Sequence, residues 1–288
     1  MENGNRMSDT DHHAAATPQA RAAALRARYG ADPALDVAWN ATVAGLLAHR
    51  TVRAFRPDPL PAGTLETLVA AAQSAASSSN LQTWSVVAVE DPAAKARLSE
   101  VARGQRHVAE APLVLVWLAD LSRLEALGRD RAKATDGLDY LEMLMVGVVD
   151  AALAAQNATV ALESLGLGTV YIGALRNDPE AVAELLGLPP NVLAVFGLCV
   201  GHPDPARPAA VKPRLPQDVV LHRGRYEPAQ AGRAVAAYDA AMRDFQAGQG
   251  MPQAGWSDAA LDRVRGPGSL SGRDRLREIL ERRGFGLK

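Results

Sequence analysis

Apolar residues recur along this chain with two different periods, and each change of period marks a new element. Trp84 to Val89 is an apolar run of strand length. Pro112 introduces LVLVWL, a continuous apolar run that predicts a strand covered on both faces and ended by Asp120. TVYIGA, from Thr169, and Val192 to Val200 predict further strands. Between them the period becomes helical. QARAAALRARYG predicts a short helix stopped at Gly30, a residue suited to positive φ. Asp36 to Ala48 places Val37, Val43, Leu46 and Leu47 near one helical face. Thr64 is a candidate N-cap for a helix whose buried stripe is Leu65, Leu68, Val69 and Ala72. Lys95 to Val108 also reads helical, and Leu121 to Leu144 forms a charged, mostly helical excursion. The strongest helix is Val146 to Leu165, with Val149, Leu153, Gln156 and Val160 on one face and Gly166 as its stop. Its alanines suggest close approach to another helix, at a subunit interface for example. Asp178-Pro179 caps the helix PEAVAELLG. Four to six strands mixed with long helices, without any repeat, predict an α+β domain.

Composition changes this picture little. The 288 residues are 48% hydrophobic and 22% charged, as in an ordinary folded protein. A net charge of −1 gives no global attraction to nucleic acid or anionic membrane. The single cysteine, Cys199, lies in a predicted buried strand, forbids an intramolecular disulfide and reads as inert core in a reducing compartment. No apolar run is expected to approach the ~18 residues of a membrane span, and the polar start MENGNRMSDTDHH is not a secretion signal, so a cytoplasmic location is expected. Residues 1 to about 18 read as disordered, and 1–35 as an N-terminal extension before one domain at 36–288. His12 and His13 read as solvated rather than metal-binding. The tail from Arg263 to Lys288 carries eight basic residues against three acids.

The candidate chemistry begins with absences. The chain has no phosphate loop of the G-x-x-x-x-G-K-[ST] type and no G-x-S-x-G elbow. Gly166-Leu167-Gly168 follows a helix and lacks the third glycine of a dinucleotide fingerprint, since position 171 is Tyr. No metal-ligand cluster is visible. What remains is cations in stiff settings: His49, Arg50, Thr51 and Arg53 after a helix, and Lys212 and Arg214 in a proline-rich connection. Arginine forks, a lysine charge and a small hydroxyl are usual partners of a phosphate, though each alone also fits a solvated surface. Ser77, Ser78, Ser79, Asn80 and Gly173 are small or polar groups that let a flat ring approach the backbone, and Gln105 and His107 can add donors.

Together these segments resemble the FMN-dependent nitroreductase family, most of all its group A branch of oxygen-insensitive NADPH nitroreductases and NADPH–flavin oxidoreductases. The carriers are HRTVRAF at 49–55, SSSNLQ at 77–82, GQRHVAEAP at 104–112, GVVDAALAAQNATVALESLGLGTVYIGALRND at 147–178, LLGLPPNVLAVFGLCVGHP at 185–203 and KPRLP at 212–216. The resemblance implies a central antiparallel sheet flanked by helices in an intertwined homodimer. It implies that His49, Arg50, Thr51, Arg53, Lys212 and Arg214 hold the FMN phosphate and ribityl chain. Ser77, Ser78, Ser79 and Asn80 would reach the FMN of the partner subunit. Gln105, Arg106 and His107 would touch the flavin, as would the strand end Tyr171, Ile172, Gly173 and Ala174. No side chain is then needed as a catalytic base, because the chemistry is at flavin N5. Thr51 replaces the commoner Ser and Ala174 a common Gly. Gln249 stands at or near a family arginine for the NADPH phosphates, and Arg273 matches a second basic position, so NADPH or NADH is the donor. The implied reaction is two-electron, ping-pong reduction of a small electron acceptor: a nitroaromatic, a quinone or a flavin. Flavin, enone or halide reduction on the same scaffold and non-catalytic FMN binding are the alternatives.

Overall fold

A computed structural model of the chain describes residues 17–30, 35–228 and 234–288. His12, His13 and most of the stretch read as disordered lie outside these residues. The elements, numbered along the chain, are α1 (Pro18–Tyr29), α2 (Ala41–Ala48), α3 (Thr64–Gln73), β1 (Trp84–Val89), α4 (Pro92–Val101), α5 (Arg106–Glu110), β2 (Leu113–Asp120) and α6 (Ser122–Asp130). They continue with α7 (Leu141–Ser164), β3 (Gly168–Ile172), α8 (Pro179–Leu186), β4 (Val192–Gly201), α9 (Gln217–Val220), α10 (Val235–Gly248), α11 (Ser257–Arg263) and α12 (Leu276–Arg282). The sequence reading divides the chain at residue 35. The folded chain divides into one unit of Met1–Arg50 with Ala210–Asp262 and another of Thr51–Ala209 with Arg263–Lys288.

The second unit is built on a four-stranded antiparallel sheet of order β1-β2-β4-β3. Period-two alternation along its buried central strand divides the core in two. Val114, Val116 and Leu118 of β2 face Leu98, Val108, Val182 and Cys199. Leu113, Leu115 and Trp117 face Leu68 and Ala72 of α3 and the alanines Ala154, Ala155 and Ala158 of α7. The register shift opposite Trp117 and Leu118 places an extra residue, Val195, in β4, and Ala119 joins Leu193, Val195, Leu280 and Phe285 in a third cluster that anchors the C-terminus. Burial of a large apolar side chain contributes about 1.5–3 kcal/mol, so these clusters dominate the stability of the sheet. The basic tail is engaged within this unit: Arg282 pairs with Glu180, Lys288 with Asp139 and Arg277 with Glu281.

Several expectations change in detail. Asp36–Ala48 is helical only from Ala41, because Asn40 accepts from the Val43 N–H and caps the start there. None of the residues of α2 is buried. Thr64 is the first residue of α3 rather than its cap; Gly63 holds the cap position at φ 80°. Lys95–Val108 breaks at Arg103 and Gly104, both with positive φ. The long helix begins at Leu141 rather than Val146. Gly147, Asp150, Ala151, Ala154, Ala155 and Ala158 are buried, while Val149, Leu153 and Gln156 are exposed. Small residues win the inner face because α7 packs closely on the sheet: a Cβ at Gly147 would lie 3.0 Å from that of Ala119. Contrary to the expectation of no such run, α7 is long and apolar enough by length and composition to cross a membrane. Its inner face nonetheless belongs to the core, and Asp150 at its middle is buried and engaged by protein donors.

The first unit contains only helices and irregular chain among its described residues. Thr17 caps α1 through its hydroxyl, Pro18 opens the helix, and Gly30 ends it at φ 86° with its N–H on the Arg26 carbonyl.

Candidate functional site

The predicted cationic segments of the first unit meet on one buried arginine. Arg28, 6% exposed, donates from Nη1 to the Lys212 carbonyl at 2.8 Å and from Nη2 to the Leu47 and His49 carbonyls, each at 2.8 Å. Its own carbonyl accepts the Arg214 N–H at 2.8 Å. Leu47 and His49 lie at the C-terminal end of α2, where backbone carbonyls lack helical donors and a cation is favoured. The Tyr238 hydroxyl donates to the Pro213 carbonyl at 3.0 Å, and Lys212 Nζ lies 5.6 Å from the centre of the Phe245 ring. The backbone of Lys212-Pro213-Arg214 is therefore fixed at three successive residues, with the Arg214 side chain exposed. His49, Arg50, Lys212 and Arg214 thus sit on chain segments joined by a single guanidinium.

In the second unit, Thr51 to Phe55 runs along the edge of β3 and the end of β4. The Val52 N–H bonds the Thr169 carbonyl at 2.9 Å, and Thr51 and Phe55 bridge Thr169 and Pro203. Two glycines permit this approach. A Cβ at Gly168 would stand 2.8 Å from the Val52 side chain, and one at Gly201 would stand 2.8 Å from Phe55. Val52, Ala54 and Phe55 are buried, which leaves Arg53 pointing outward. His107 in α5 is half-buried, and its Nε2 is buried without a partner. Desolvation, then the positive charge of Arg53, lowers its pKa below the ordinary 6.5, so the ring is neutral at pH 7. Arg106 instead turns to Glu110 on the exposed face of its helix, and the Gln105 carbonyl accepts from Ser99 Oγ. Tyr171 is partly exposed; its hydroxyl pairs with Thr159 at 3.0 Å, and burial raises its pKa. Ile172 and Ala174 are buried on either side of Gly173.

The serine loop is organised by Asp150. Its Oδ2 accepts from Ser77 Oγ (2.8 Å), Thr83 N (3.1 Å) and Thr83 Oγ1 (3.0 Å), and its Oδ1 from Ser78 N (3.2 Å). Ser77 Oγ in turn accepts from Gln82 N. Ser79, Asn80 and Gln82 all adopt positive φ, near 50°, a conformation that costs a non-glycine residue about 1–3 kcal/mol. The carboxylate holds a strained turn with Ser78, Ser79 and Asn80 exposed at its tip.

Arg273 lies in an arginine cluster. Its Nε donates to Asn177 Oδ1 at 2.9 Å, and the neighbouring Arg176 donates to the Val195 carbonyl. Burial, then the charges of Arg176, Arg263 and Arg103, lowers the Arg273 pKa; burial, then Arg263, lowers that of Arg176. A cluster of like charges of this kind attracts anions. Gln249 is exposed at the end of α10, in the first unit.

Sequence reasoning missed Arg28, Asp150 and Arg176. Arg28 is one of three arginines in an alanine-rich helix, with nothing in its neighbourhood to distinguish it. Asp150 did leave a signal: it is a lone carboxylate within the apolar stretch of α7. No metal-type cluster of His, Cys, Asp and Glu occurs among the described residues.

The sheet and the donor set define an α+β protein rich in fixed cations, with no metal-type cluster among the described residues. The chain belongs to the nitroreductase family: the model described as "Nitroreductase family" matches residues 46–202, and "Nitroreductase family, C-terminal domain" matches 212–288. Among its relatives, "FMN reductase (NADPH)" of Bacillus subtilis is 39% identical over 228 residues, 77% of this chain and 91% of the relative. "Oxygen-insensitive NADPH nitroreductase" of Salmonella typhimurium is 40% identical over 219 residues, 75% of this chain and 88% of that one. The solved structure of NfrA2 from B. megaterium superposes with a TM-score of 0.81 at 36% identity, covering 87% of this chain and 100% of its own.

Proposed function

We propose that the chain is an FMN-dependent oxidoreductase that uses NADPH or NADH to reduce nitroaromatics, quinones or flavins. The names of the Bacillus and Salmonella relatives support this reading, as does that of the NADPH-flavin oxidoreductase of Vibrio harveyi, 37% identical over 229 residues. The observation that carries it is the meeting of the His49–Arg50 and Lys212–Arg214 segments on Arg28. The donor set fits FMN: guanidinium and ammonium groups suit a phosphate dianion, and the orphaned His107 Nε2 suits a polar ring edge. FMN, when bound, would supply the two-electron redox chemistry that links the nicotinamide to the acceptor.

The chain's own residues bind and orient. His49, Arg50, Lys212 and Arg214 anchor the phosphate, with Thr51 and Arg53 on the ribityl side. Neutral His107, with Gln105 and the Tyr171–Ala174 strand end, meets the ring, and Arg106 joins them by leaving its pairing with Glu110. Arg273, beside Arg176, receives the anionic part of the nicotinamide donor. The enzyme acts in the cytoplasm as a homodimer, with Ser77–Asn80 completing the partner's site. The exposed apolar row Leu141, Met145, Val149 and Leu153 on α7 supports that association.

Purified protein should be yellow, sediment as a dimer and be reduced by NADPH or NADH in stopped-flow. Arg50→Ala and Lys212→Ala should each lose FMN. Wild-type FMN content in both variants would overturn the assignment.

A further inference from the structure

The helix α1 lies outside both matched family segments, which begin at residue 46. It is nevertheless well anchored within the first unit. Arg21 donates to the Val37 carbonyl at 2.6 Å and lies 5.4 Å from the Trp39 ring centre. Gln217 donates to the Tyr29 hydroxyl at 3.3 Å, and a Cβ at Gly30 would stand 3.7 Å from that of Ala241. The helix spends its most buried cation, Arg28, on the backbone of the two segments that carry the phosphate-binding side chains.

We propose that α1 is an added clasp that sets the FMN-phosphate subsite, with Arg28 as its positioning residue. This rests on the functional reading above, in which His49, Arg50, Lys212 and Arg214 bind that phosphate. Three features support it. The two segments are separated by more than 160 residues of sequence, so their spacing is not fixed locally. The fork geometry of Arg28 satisfies carbonyls of both at once, which an ammonium cannot reproduce. The return bond from Arg214 N–H to the Arg28 carbonyl fixes the same segment again, which defines its rotation as well as its distance. Arg28 does not touch the cofactor in this scheme. It fixes the main chain from which His49, Lys212 and Arg214 project.

The test compares FMN with riboflavin, which carries the same ring without the phosphate. Full-length apoprotein is titrated with each by fluorescence quenching, for wild type, Arg28→Ala, Arg28→Lys and Arg50→Ala. Groups that orient metal ligands change affinity by about 10- to 100-fold, and the clasp is expected to act on the same scale. The clasp predicts an FMN dissociation constant at least tenfold higher in Arg28→Ala, with riboflavin changed less than twofold. Arg28→Lys keeps the charge and loses the fork; it should show the same selective loss, and it answers the question if the alanine variant does not fold. Equal losses for both flavins, or none, would overturn the clasp. Failure of wild type to bind FMN, or an unchanged Arg50→Ala, would instead refute the functional reading.

Discussion

Asp150 offers the most direct link between a single side chain and the geometry of the serine loop. Its carboxylate accepts four hydrogen bonds, and both it and Thr83 are about 1% exposed. A hydrogen bond to a charged group is worth about 1.5–3 kcal/mol net, and each buried donor left without an acceptor costs about 1–3 kcal/mol. Asp150→Ala orphans the Thr83 N–H and frees Ser77 and Ser78, so a loss of about 3–6 kcal/mol is expected. Asp150→Asn behaves differently. With its oxygen at the Oδ2 position it keeps three of the four bonds and turns an NH₂ group toward the Ser78 N–H. The cost should then be that of one reversed bond, about 1.5–3 kcal/mol. Urea unfolding of the three proteins measures this directly, as a fall in midpoint at unchanged slope. FMN affinity should fall in the same order, because the left-handed backbone of Ser79, Asn80 and Gln82 loses the contacts that hold it. An alanine variant within 1 kcal/mol of wild type, or an asparagine variant worse than alanine, would refute this account.

Two further outcomes follow from single groups. The folded-state pKa of His107 lies below its unfolded value, so below about pH 6.5 the unfolded chain binds a proton that the native chain resists, and stability falls with acidification. His107→Gln should flatten the unfolding free energy between pH 7 and pH 5.5; an unchanged slope would rule out this role. The Cys199 thiol is fully buried and pushed up to about 12, chiefly by desolvation. Native protein should therefore leave Ellman's reagent untouched at pH 8 and titrate one thiol per chain in guanidinium, whereas rapid native reaction would contradict the burial.

Much of the fold was legible because its strands are continuous apolar runs bounded by proline, glycine or aspartate. Leu113–Asp120 and Val192–Gly201 lie where their composition places them, and the Asp178-Pro179 cap and the Gly187 stop of α8 are local signals. The inner face of α7 was not legible. Periodicity scores hydrophobicity, whereas the sheet selected size, placing alanine and glycine inside and leaving Val149 and Leu153 outside. The cationic segments were visible as composition, but their meeting was not. It depends on one arginine far away in sequence, and no local pattern reports a side chain that bonds distant carbonyls. Asp150 and Arg176 escaped for the same reason: their partners are set by the tertiary fold.

The central strand β2 also has a consequence for the birth of the protein. One neighbour, β1, is already made when β2 leaves the ribosome, but the other, β4, is encoded roughly 80 residues later. At a synthesis rate of about 5–20 residues per second, the nascent LVLVWLAD segment spends roughly 4–16 s with one flank of backbone donors and acceptors unsealed. Nascent chains stalled before Val192 should accordingly be chaperone-bound and prone to precipitate, and those released beyond Gly201 should not.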